Sequence, residues 1–205
     1  MSDISRLLAQ HSADLSWQQS FYEDLHERPE LSGHEYETAE KIARKLGDFD
    51  CEVITHIGGY GIVAIFRNGD GPTALFRADF DALPIKEETG VPFASTRLRP
   101  GADGVQTSVM HACGHDMHTT ALLGACALLD AHRDAWHGTF LALFQPSEEN
   151  AMGANAMVAD GLLTRIPRPD VCLGQHVMPG RAGEVQTTAG PQFAACDSIR
   201  ITIPG

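Results

Sequence analysis

Strand-like apolar runs alternate with helical segments along this sequence, and that alternation restricts the fold more than any other feature. "CEVIT" (51–55), "GIVAIF" (61–66), "TALFRADF" (73–80), "GTFLALFQ" (138–145) and "DVCLGQH" (170–176) read as strands, the last two as buried ones. Between and before them lie helical stretches: 16–27, interrupted at Arg28-Pro29, then 32–46, "TTALLGACALLDAHR" (119–133) and "GANAMVADGLL" (153–163). Strands alternating with helices imply an α/β sandwich around a largely parallel sheet. In such a fold, sites gather in the loops beyond the carboxyl ends of the strands.

Local chemistry sharpens some boundaries. Ser32-Gly33-His34-Glu35 fits a capping box opening a helix whose apolar face is Ala39, Ile42, Ala43 and Leu46, with Gly47 as its stop. "RNGDGP" (67–72) is a strong turn signal and predicts a hairpin between the strands that flank it. "GEVQTTAG" (183–190) and "CDSIRITIPG" (196–205) read as further strand pieces, and the ending at Gly205 points to a truncated chain.

Composition excludes several classes. A net charge of −12, with 15 scattered basic residues, argues against a nucleic-acid partner. No apolar run approaches the roughly 20 residues a membrane span needs, and no secretory signal is visible, so a cytoplasmic location is expected. Five cysteines without a CxxC pair read as reduced thiols, Cys126 and Cys172 as core.

The chemistry concentrates in "VMHACGHDMHTT" (109–120). Cys113 and His115, two residues apart, reach one ion only from a loop or extended backbone, a geometry that Gly114 makes easy. A thiolate and an imidazole suit zinc or a similar ion. Further ligands come from other strand ends: Glu148-Glu149 after "FLALFQP", and His176 after "DVCLGQ". On extended backbone the two glutamates point to opposite faces, so one can bind metal while the other reaches a water as general base. Cys113, His115, one Glu and His176 make a tetrahedral zinc shell.

Plainer readings stand beside these. Adjacent glutamates are usually solvated surface, a strand-terminal His is more often structural, and Asp79 and Asp81 fit turn capping. "HACGH" alone also fits a structural zinc half-site, or a Cys113 nucleophile with His111 or His115 as base. His111 and His118 are spare on this reading, one fitting a supporting place behind the ligands and the other the core or surface. The conjunction of three clusters at loop positions favours metal hydrolysis.

"RADFDALP", "MHACGHDMHTT", "FQPSEE" followed by "GANAMVADGLL", and "GQHVMP" resemble, in order and spacing, the metal-dependent amidohydrolases that include hippurate, N-acyl-amino-acid and indoleacetyl-amino-acid hydrolases. The opening "LHERPELSGHEYETAEKIA" is similar too. The resemblance implies a three-layer α/β sandwich with a mixed, largely parallel sheet, of the zinc-exopeptidase type, incomplete at its C-terminus. It implies two divalent ions (manganese, zinc, cobalt or nickel) held by Cys113, His115, Glu149 and His176, with Glu148 as general base. Asp81 and Asp116 match acids near the site and are expected to orient it. The implied substrate is a small N-acyl amino acid. Members of that family are longer, continuing into a lid and dimerisation domain with a "GGHGA"-like motif and a later metal-binding His. Residues 1–190 would then begin the catalytic domain and 191–205 the lid, through which the parent enzyme would form a homodimer. A catalytically incomplete, metal-binding fragment is the alternative of another class.

Overall fold

The computed structural model describes residues 16–101, 104–191, 199 and 201–203. Its strands are β1 (Glu52–Ile57), β2 (Gly61–Asn68), β3 (Thr73–Asp79), β4 (Leu98–Pro100), β5 (Gln106–Ser108), β6 (Gly138–Gln145) and β7 (Val171–Gly174). Its α-helices are α1 (Ser16–Glu27), α2 (Tyr36–Leu46), α3 (His115–Ala131), α4 (Gly153–Ala159) and α5 (Leu162–Arg165). Five strands form one mixed sheet in the order β1-β2-β6-β3-β7, while β4 and β5 pair separately. The β1–β2 and β2–β6 ladders are antiparallel; β6–β3 and β3–β7 are parallel.

The period-2 alternation of each strand sorts its side chains into two cores. Ile62, Ala64 and Phe66 of β2, with Ala142 and Phe144 of β6, meet Ile42 and Leu46 of α2 and Leu122, Leu123 and Cys126 of α3. Val63, Ile65, Leu141 and Leu143 face the other way, onto Met157, Leu162 and Ile166 of the α4–α5 region. The result is a three-layer sandwich. Each fully buried Phe, Leu or Ile contributes about 1.5–3 kcal/mol by leaving water.

The hairpin predicted across 67–72 does not form. β6 lies between β2 and β3, pairing Val63 with Leu143 on one side and Leu75 with Leu141 on the other. β6 has almost no polar face, and a central position buries both faces while pairing both edges. The sheet's hairpin is β1–β2 instead. β7, expected to be buried, is exposed throughout, because β3 is its single neighbour among the described residues. "GEVQTTAG" holds no strand, and "CDSIRITIPG" lies largely outside the described residues.

The capping box is also replaced. Helix α2 starts at Tyr36, and the Glu30 carboxylate accepts from the Glu37 and Thr38 amides (3.2 and 2.7 Å) and from Thr38 Oγ1 (2.8 Å). This frees Ser32 and Glu35 for loops at the sheet's carboxyl edge. Ser32 Oγ donates to Asp81 Oδ2 (2.7 Å), and Glu35 Oε1 accepts from Ser147 N–H and Oγ–H (2.7 and 3.0 Å). Because β3, β6 and β7 run parallel, that edge gathers Asp79–Asp81, Ser147–Glu149 and His176.

Candidate metal centre

Cys113 and His115 enter this edge on the turn into α3. Gly114 adopts φ +81° as the residue before the helix, so Cys113 sits in the loop and His115 in the first turn, as the spacing required. His115 is fully buried. Its Nδ1 faces Asp81 Oδ1 at 3.1 Å. A carboxylate only accepts, so Nδ1 donates and Nε2 is left with its lone pair outward. Glu148 Oε2 and Glu149 Oε1 each lie 3.7 Å from that Nε2. Cys113 Sγ is 3.4 Å from His176 Nε2, whose ring is set by Nδ1–H donating to Val177 O (2.8 Å).

The two glutamates do not diverge as extended backbone would make them. Ser147 takes φ +51°, the chain turns, and both carboxylates face His115. They differ in exposure: the Glu149 side chain is 19% exposed and that of Glu148 39%. Asp81 ties the turn down, since its Oδ2 accepts the Glu149 amide at 3.0 Å. Burial would raise the Asp81 carboxyl, but bonds from His115, Ser32 and Glu149 N–H outweigh it and hold it below its usual range. Burial, reinforced by the negative charge of Glu148, raises Glu149.

These residues fit a cation. His115 Nε2 and Glu149 Oε1 are buried without a hydrogen-bond partner. Cys113, His115 and His176 form one set of ligand atoms within 4.8 Å of each other, and His115, Glu148 and Glu149 a second set sharing His115. Ligands on one tetrahedral zinc ion stand about 3.3–3.6 Å apart, close to the separations here. The donors are an S, two N and carboxylate O, the chemistry of zinc and its neighbours.

The thiol-nucleophile reading lacks an activated thiol. Neither ring nitrogen of His111 has a hydrogen-bond partner, and burial pushes that imidazole down to about 4. His115, with Nδ1 held by Asp81, keeps Nε2 free, so the reading turns on the thiol. Burial, with the charge of Glu149 beside it, lifts the Cys113 thiol to about 12, the reverse of an activated nucleophile.

Asp116 turns away from His115. Its Oδ2 meets His26 Nδ1 at 2.6 Å, and Glu87 Oε1 meets His26 Nε2 at 3.0 Å. With a carboxylate on each nitrogen, chiefly Asp116, His26 is raised from 6.5 to about 9 despite burial. The stability this proton contributes is complete below about pH 6.5 and is lost as pH rises through about 9. A His26→Gln protein is expected to lack that slope. Melting temperatures of both proteins between pH 6 and 10 check this, and parallel curves would refute it.

Sequence reasoning passed over Asp79 as an active part of this edge, and offered a supporting place to one of His111 and His118 without choosing between them. His118 Nδ1 faces Asp79 Oδ1 at 2.6 Å, and His118 Nε2 accepts the Val177 amide at 2.9 Å. The i+3 spacing from His115 on a helix was the available signal.

Residues 75–201 match the profile of peptidase family M20/M25/M40. N-acetyl-L-cysteine deacetylase of Bacillus subtilis is 40% identical over 183 residues, covering 88% of this chain and 41% of that protein. Hippurate hydrolase of Campylobacter jejuni is 38% identical over 183 residues, covering 88% and 45%. Among solved structures, the Bacillus subtilis YXEP protein, described as a dinuclear metal binding peptidase from the M20 family, superposes with a TM-score of 0.70 at 38% identity, covering 80% of this chain and 44% of that one. The chain thus spans less than half the length of each of these relatives. By sequence and by fold, this chain belongs to peptidase family M20/M25/M40.

Proposed function

We propose that the protein hydrolyses the amide bond of N-acyl amino acids, using two divalent cations held by Cys113, His115, Glu149 and His176, with Glu148 as general base. The observation that carries this reading is the convergence of three strand ends on two buried, partnerless ligand atoms, His115 Nε2 and Glu149 Oε1. The named activities of the relatives support the substrate class. Bound divalent ions supply Lewis acidity, acidifying a water and polarising the amide carbonyl. Glu148, the more exposed carboxylate, takes a proton from the attacking water and returns it to the leaving amine nitrogen as the C–N bond breaks. Asp81 holds His115 with its Nε2 turned toward Glu148 and Glu149, from where it would reach a bound ion. On the same reading residues 1–190 begin the catalytic domain, 191–205 begin the lid, and the parent enzyme is a homodimer.

Chelation is the direct test. Dialysis of the native-length protein against a chelator should abolish hydrolysis of hippurate and N-acetylcysteine, and manganese, zinc, cobalt or nickel should restore it. Full activity in the metal-stripped protein would sink the proposal and return the thiol mechanism.

A further inference from the structure

His176 stands on the least supported part of the edge. It follows β7, an exposed strand with one neighbour among the described residues, and Val177 beside it is 43% exposed. Little apolar packing holds this segment, yet a ligand must be placed within a fraction of an ångström. The buried group that reaches it is His118, itself 2% exposed, through the 2.9 Å bond from the Val177 amide to Nε2.

That ring is fully committed. The Val177 N–H can only donate, so Nε2 accepts; the Asp79 carboxylate can only accept, so Nδ1 carries the proton. His118 therefore has no lone pair left for a cation, although Asp79, His115 and His118 lie close enough to look like a ligand set. Asp79 is anchored in turn. Its Oδ2 pairs with Arg77 Nη1 at 2.6 Å, and Arg77 Nε donates to Gln145 Oε1 at 2.9 Å. A continuous polar chain thus runs from β6 through β3 and α3 to the backbone next to His176. The His118 and His176 rings stand edge to face, with centroids 4.6 Å apart.

We propose that His118 is a positioning residue, which fixes through the Val177 amide the place from which His176 reaches Cys113 and the cations. The cation part rests on the function proposed above; the positioning part does not.

Two measurements on the native-length protein separate them. In the metal-free protein, imidazole nitrogen shifts should show His118 protonated on Nδ1 alone. His118→Phe, which keeps a ring but loses both bonds, should move the Val177 amide and the His176 ring resonances. His118→Gln, whose amide can both donate to Asp79 and accept from Val177, should leave them near their original positions. For zinc titrated by calorimetry, removing such a supporting group typically weakens binding roughly 10–100-fold, and His118→Phe should fall in that range while His118→Gln recovers most of the loss. Because His118 acts through His176, His118→Phe with His176→Ala should bind zinc no more weakly than His176→Ala alone.

An Nε2-protonated His118, or fully additive losses in the double variant, would overturn the positioning role even with zinc binding intact. Absence of zinc binding by the unmodified protein, with the nitrogen shifts as expected, would overturn the metal reading and leave the positioning role standing. Should His118→Phe fail to fold, the wild-type shifts and His118→Gln decide the matter.

Discussion

Replacing Glu148 by Gln is expected to lower kcat for N-acyl amino acid hydrolysis by roughly two to four orders of magnitude, the usual contribution of a general base, with metal content unchanged. The amide keeps the volume and polarity of the carboxylate but takes up no proton. Glu148 is the group to test because it and Glu149 stand at the same 3.7 Å from His115 Nε2 but in different surroundings. Glu149 is turned inward with a buried, partnerless oxygen, suited to a cation; Glu148 is twice as exposed, suited to water. Glu149→Gln should therefore lose metal, and Glu148→Gln should not. Steady-state kinetics with hippurate, beside metal analysis of the same samples, reads both. Full activity in Glu148→Gln would place the base elsewhere.

Gly114→Ala is expected to disable the site from the backbone side. Its φ of +81° costs an L side chain about 1–2 kcal/mol. At about 2–4 °C per kcal/mol for a domain of this size, the melting temperature should fall by roughly 2–8 °C. The larger effect is steric. A Cβ at Gly114 would stand 2.2 Å from Val177 Cγ2, so Val177, the residue next to His176, must turn or shift. Both residues line the same cleft of about 310 Å³ with Cys113 and His176. Zinc affinity should drop at least tenfold, in line with the loss of a supporting group. Val177→Ala in the same protein removes the collision but not the backbone strain. It should restore most of the zinc affinity and little of the melting temperature. Recovery of neither would show that the glycine serves the turn alone.

The parts of this protein legible without coordinates are those governed by near neighbours. The extents of β6 and α1 follow from an unbroken apolar run and from Arg28-Pro29, and both agree with the structure. The loop position of Cys113 follows from spacing and a glycine, although His115 already belongs to α3. Less legible was the use of polar residues with two local options. Ser32 and Glu35 have the spacing of a capping box, but a better acceptor, Glu30, took the helix amides. Their side chains instead hold Asp81 and Ser147, 49 and 112 residues away.

By itself, the sequence determined the five strands of the main sheet, the apolar cores of the helices and the residue types offered at the ends of the parallel strands, because periodicity, turn chemistry and side-chain inventory act within a few residues. Tertiary structure alone decided that β6 would separate β2 from β3, that Glu148 and Glu149 would share a side, and that His118 would serve the Val177 amide. Those outcomes depend on which distant groups compete for each buried edge and donor. Satisfying buried polar groups is a property of the assembled fold, and no local pattern encodes it.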